Sequence, residues 1–169
     1  MQVAMITRYA SCACGRVQCR AVGDPILSAV CYCDDCQAGA REIEVLPNAT
    51  GFRDADGGTP YLTYRDDRFS CTAGEDLLVD YRIRERAPTR RVVASCCNSA
   101  MFLKFGPGFW VSAYRVRFKG DVPPLEMRTQ TRYRRSNTDL PHDVPRYGRF
   151  GMKLFAKLIT ARVSMFLGR

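Results

Sequence analysis

The sequence is poor in histidine: His142 is the single one in 169 residues. Zinc centres built on imidazole, and nucleophiles activated by a histidine base, are therefore disfavoured. His142 also stands in a polar, proline-broken stretch, Asn137 to Pro145. No run approaches the roughly 20 apolar residues that a membrane span requires, and there is no internal repeat. Met1 to Arg8 is too short and too weakly apolar for a secretion signal, so the expected compartment is the cytosol. Acidic residues are scarce beside basic ones, 17 against 26, leaving a net charge of +9. That balance favours an anionic partner, whether a phosphate backbone, an anionic lipid surface or a small substrate, without choosing among them.

What the sequence has in excess is cysteine, nine residues in all. A secreted disulfide scaffold usually carries an even number, and a Cys-x-Cys pair does not close easily on itself. Metal thiolates are the better reading for an intracellular chain. Cys31-Tyr32-Cys33-Asp34-Asp35-Cys36 puts three thiols within six residues, flanked by Cys12-Ala13-Cys14 before and Cys96-Cys97 far behind. Crowded thiolates repel, and a soft cation that gathers sulfur tetrahedrally, zinc above all, relieves the conflict.

The rest of the chain reads as a mostly β domain, many short strands punctuated by Gly and Pro. Strands are expected at residues 2 to 8, Val17 to Val22, Ile26 to Cys31, Tyr61 to Tyr64, Leu77 to Ile83, Arg91 to Ser95, Met101 to Phe105 and Phe109 to Phe118. Ser11 to Gly15 is a tight turn, and Gln37 to Ile43 a short helical turn. After Gly120 the character changes. Arg128 to Arg135 is strongly basic and reads as a solvated linker in preference to a phosphate-binding strip, because only Tyr133 offers a stacking surface. From Phe150 to Leu167, Phe155, Leu158, Ile159, Val163 and Phe166 recur at three- and four-residue steps, an amphipathic helix. It is expected to dock on its own domain or a twin subunit, with a membrane surface as the alternative. The division is thus a zinc-binding β domain over 1–120 and a basic linker with a C-terminal helix over 121–169.

Cys31, Cys33 and Cys36 are the candidate catalytic group. Three protein ligands leave one corner of a tetrahedron open, as in catalytic zinc sites. Three thiolates on Zn²⁺ leave a net charge of −1, a weak Lewis acid, so an incoming thiol suits the open corner better than water. Held as thiolate, it is nucleophilic; its addition to an aldehyde gives a hemithioacetal, and the reverse is a carbon–sulfur cleavage. Cys12, Cys14, Cys96 and Cys97 could close a structural site, with only one of the adjacent pair expected to bind well; a single closed site from Cys12, Cys14, Cys33 and Cys36 is the alternative. Cys19 and Cys71 read as core residues, and Asp34 and Asp35 as solvated turn formers.

The pattern resembles the glutathione-dependent formaldehyde-activating family, whose domain is shared with a centromere protein. That family shows S-C-x-C-G-x-V, then C-x-C-x-x-C, then R-x-F-C-x-x-C-G-S. Ser11-Cys12-Ala13-Cys14-Gly15-Arg16-Val17 matches the first motif and Cys31 to Cys36 the second, with Tyr32 where histidine is common. The third is altered: Cys97 is kept, Ala94 replaces the first cysteine, and Cys96 is available to compensate. The resemblance covers roughly residues 9 to 118. It implies a Mss4-like zinc-binding β fold, one structural zinc through Cys12, Cys14 and Cys97, and a second at Cys31, Cys33 and Cys36. It also implies carbon–sulfur lyase chemistry on an adduct such as S-hydroxymethylglutathione, with glutathione and formaldehyde as partners. One or two Zn²⁺ per chain are therefore expected. The competing class is a non-enzymatic zinc module that touches nucleic acid, a membrane surface or protein through its basic tail; a homo-oligomer fits either class, and nucleic acid is the least favoured partner.

Overall fold

Alternation in the first strands sets one face against the core. The computed structural model describes residues 5–168. In it β1 (Thr7–Ser11) and β2 (Gln18–Val22) each show alternate residues buried. Residues 2 to 4 of the expected first strand lie outside the described residues, and the strand observed begins at Thr7. Next comes β3 (Leu27–Cys31), every residue of which is buried, then α1 (Asp34–Glu44). The expected short helical turn is thus a full helix that starts inside the triple-cysteine segment.

Five further strands follow: β4 (Thr59–Arg65), β5 (Phe69–Ala73), β6 (Leu78–Tyr81), β7 (Thr89–Ala94) and β8 (Ser99–Phe105). The chain then runs through β9 (Trp110–Tyr114), β10 (Met127–Thr129) and α2 (Met152–Phe166). Two sheets result, one in the order β1-β2-β5, the other β10-β3-β4-β9-β8-β7-β6. The fold is mainly β, of the Mss4-like kind, with a C-terminal helix and cysteine clusters compatible with zinc. The core between the sheets is built on Ala10, Val17, Leu62, Tyr64, Met101 and Phe118. Cys19 is fully buried there, and Cys71, its cross-strand partner, packs against the same cluster.

The tail corrects one expectation. Arg128 to Arg135 is not a solvated linker throughout. Met127–Thr129 pairs in parallel with β3, Arg128 is only 5% exposed, and Thr129 and Gln130 are buried too. Arg128 donates to both Asp56 (3.1 Å) and Asp143 (3.1 Å) and to the Tyr32 hydroxyl, and Arg135 pairs with Asp34. Two of the run's cations are thus neutralised internally, which leaves less charge for a phosphate backbone.

The last helix is apolar on two sides. Leu154 packs with Leu27, Ala29, Met127 and Tyr147, while Met152, Ile159, Val163 and Phe166 point to solvent. Lys157 pairs with Glu126 at 2.5 Å, and Arg162 stacks over Phe109, fastening the helix to the sheet. No helix among the described residues is long and apolar enough to cross a membrane.

Candidate metal centres

Two separate sulfur clusters form. In the first, Cys12 and Cys14 come from the turn after β1, where the Gly15 amide donates to the Cys12 carbonyl and Gly15 takes φ 80°. Cys96 and Cys97 come from the turn between β7 and β8, reversed by Asn98 at φ 51°. The Cys12–Cys14, Cys14–Cys96, Cys12–Cys96 and Cys96–Cys97 sulfurs are 3.5, 3.4, 3.8 and 3.9 Å apart. All four lie within 4.8 Å of one another. Zinc–sulfur bonds of about 2.3 Å make a tetrahedron with edges of about 3.8 Å, so the donor set fits zinc. Both adjacent cysteines, Cys96 and Cys97, reach the cluster. The Val17 amide also donates to the Cys12 sulfur at 3.2 Å, which stabilises negative charge there. Beside Arg16, whose backbone amide and guanidinium both face its sulfur, the exposed Cys14 thiol is lowered to about 6.

The second cluster is Cys31, Cys33 and Cys36, again within 4.8 Å. Cys31 closes β3, Cys33 is the N-cap of α1, and Cys36 lies in the first helical turn. A cysteine at the N-cap and another three residues on share one side of the helix mouth. The amide dipoles of that mouth favour sulfur as thiolate. Hydrogen bonds from Cys33 and then Cys36 hold Cys31 well below the usual thiol range, and the hydrogen bond that Cys33 gives to Cys31, with burial, pushes Cys33 up to about 12. Three thiols this close repel as thiolates, and a divalent cation would allow all three to ionise.

No fourth His, Cys, Asp or Glu joins this group among the described residues. Asp34 and Asp35 pair instead with Arg135 (3.1 Å) and Arg84 (3.3 Å). His142 is exposed beside Arg146. The alternative site from Cys12, Cys14, Cys33 and Cys36 does not form, because the two pairs belong to different clusters.

The triple-cysteine group lines a cavity of about 610 Å³. Leu103, Phe105 and Trp110 line one side, and Phe150, Leu154 and Leu158 roof it. Tyr61 stands against Cys31 as a hydrogen-bonding neighbour, where burial and the sulfur charges push its phenol well up. Arg91, 2% exposed, lines the cavity; its Nη2 donates to the Asp35 carbonyl at 2.5 Å, while Nη1 has no hydrogen-bond partner among the described residues. Sequence reasoning missed Tyr61, Arg91 and the α2 roof. Arg91 is one arginine of a basic pair at the start of an apolar run, Val92 to Ala94, which carries no local mark of a buried guanidinium.

Comparison with known proteins agrees with the cysteine pattern. The model of a family described as glutathione-dependent formaldehyde-activating enzyme matches residues 7–117. That family binds zinc and is tied to glutathione and formaldehyde. Among solved structures, a Rhodobacter sphaeroides protein aligns with a TM-score of 0.45 at 15% identity, covering 68% of this chain and 91% of that one. No curated protein matches the chain.

Proposed function

The chain belongs to the glutathione-dependent formaldehyde-activating enzyme family, and from that premise we propose that it catalyses formation or cleavage of the carbon–sulfur bond between a thiol and an aldehyde. The observation that carries this reading is a group of three sulfurs lining a cavity, with no fourth side-chain ligand among the described residues. Cys31, Cys33 and Cys36 would hold zinc; bound there, it supplies a soft fourth position that keeps a substrate thiol in its nucleophilic form. The four-sulfur group would hold a second, structural ion and tie the β1–β2 turn to the β7–β8 turn.

The protein's own residues do the remainder. The mouth of α1 stabilises sulfur charge, and the apolar walls keep water from the adduct. The thiolate sulfur bonds to the aldehyde carbon, the carbonyl π pair moves to oxygen, and that oxygen takes up the proton the thiol gave up. Run backwards, the same exchange splits the adduct. In this reading residues 1–120 carry the metal chemistry and 121–169 shape the surroundings of the substrate.

The test is the rate of adduct formation from glutathione and formaldehyde with zinc-loaded protein. Cys33→Ala, which leaves the four-sulfur group intact, should lose at least about a hundredfold, the scale of removing a ligand from a catalytic constellation. Equal rates for the two proteins would end the proposal.

A further inference from the structure

The roof of the cavity comes from a part of the chain that the family match does not reach. The match ends at residue 117, yet Phe150, Leu154 and Leu158 line the same space as Cys31, Cys33 and Cys36. That roof is fixed in place. Lys157 is paired to Glu126, whose other oxygen accepts from the Ser28 amide at 3.2 Å, and Leu154 is packed into the cluster around Leu27 and Met127. The space is therefore preformed, and its volume falls in the range of sites that bury a whole small molecule, about 300–1,000 Å³.

Its chemistry is uneven. Beyond the sulfurs the lining is apolar in its larger part, with Leu103, Phe105 and Trp110 from the sheet and Leu154 and Leu158 from α2, while Thr63, Ser112 and Gln130 add uncharged polar groups. Arg91 is the one lysine or arginine in the lining, and its two acids, Asp34 and Asp35, are paired with Arg135 and Arg84. Formaldehyde alone would leave nearly all of the apolar wall unused.

Resting on the thiol–aldehyde reading above, we propose that the aldehyde half of the adduct carries an apolar chain or ring, which lies between β8–β9 and α2 while its carbonyl carbon reaches the three sulfurs. The bond changes are those already given, and no further reactant is needed. The roof residues act in specificity by covering the chain.

Trp110 is the sole tryptophan of the protein and lines the cavity, so its emission reports occupancy without turnover. Unreactive alcohols, 1-butanol, 1-hexanol and 1-octanol, are titrated against the zinc-loaded full chain. Each added methylene should tighten binding by up to about fourfold until the cavity is full. Leu158→Gln keeps a residue of similar length and good helix propensity, and should weaken 1-octanol about tenfold. In parallel, kcat/KM with glutathione should rise from formaldehyde through butanal to octanal. Formaldehyde turnover with no gain along the aldehyde series, or alcohol binding indifferent to chain length or to Leu158→Gln, would overturn the proposal and leave the lyase reading standing. Chain-length-dependent binding with no turnover of any aldehyde would remove the lyase reading and support the apolar guest.

Discussion

The guanidinium of Arg91 occupies the space that a side chain at Gly39 would fill. A methyl group built at Gly39 overlaps Nε and Cζ of Arg91. This buried glycine of α1 lets an arginine of β7 cross the helix and reach the Asp35 carbonyl beside the sulfurs. The first helical turn, which carries Cys36, is thereby fixed against the sheet.

Gly39→Ala therefore reverses the usual sign. Replacing glycine inside a helix normally stabilises by about 1 kcal/mol. Here the overlap should cost about 1–3 kcal/mol, as overpacking does, and should loosen metal from the triple-cysteine group. Urea denaturation with zinc counting checks both; a more stable variant would contradict the packing described.

Arg128 joins the tail to the domain. Its guanidinium, 6% exposed, meets Asp56 at 10% exposure and Asp143 at 47%. Arg128→Leu strands the buried Asp56 carboxylate and should cost about 3–5 kcal/mol. Arg132→Ala, on the surface, should stay within about 0.5 kcal/mol. Chemical denaturation of the two variants separates a structural arginine from a solvated one; similar small losses would contradict the ion-pair network.

Glu44 makes stability depend on acid. Burial alone would raise its carboxyl, but the Arg53 guanidinium and the Phe52 and Arg53 amides outweigh it and leave the carboxyl lower than usual. A carboxyl depressed in the folded state contributes stability that is complete above its unfolded value, about 4.3. That contribution is lost as pH falls through the lower folded value. Glu44→Gln should be less stable than the wild type at neutral pH, and the gap should close as pH falls below about 4.3. A gap constant across that window would contradict the assignment.

How much of this was legible beforehand follows from where the forces are local. The two cysteine groups were readable because metal ligation imposes spacing, and Gly15 because its turn needs positive φ. Most strands showed in their alternation or in the apolar run before Cys31. Phe69–Ala73 did not, because it is a half-exposed edge strand hemmed by charged residues and carries little periodic signal. Met127–Thr129 was hidden for the opposite reason: its burial is granted by Asp56 and Asp143, one of them over 70 residues away in sequence. The α2 periodicity was visible, but its place over the cavity depends on Glu126 and Leu27, which no local pattern connects to it.

Removing metal should separate the two clusters. Chelation should unfold the protein as the four-sulfur tie is lost, whereas Cys33→Ala should keep the fold and lose one ion of two. The most direct measurement is zinc K-edge absorption of protein loaded with two ions per chain. The average should be about 3.5 sulfurs per zinc, rising to about 4 when a small thiol is added, with no such rise in Cys33→Ala. A value of four before thiol is added, or a spectrum that thiol leaves unchanged, would contradict the free position on which the chemistry depends.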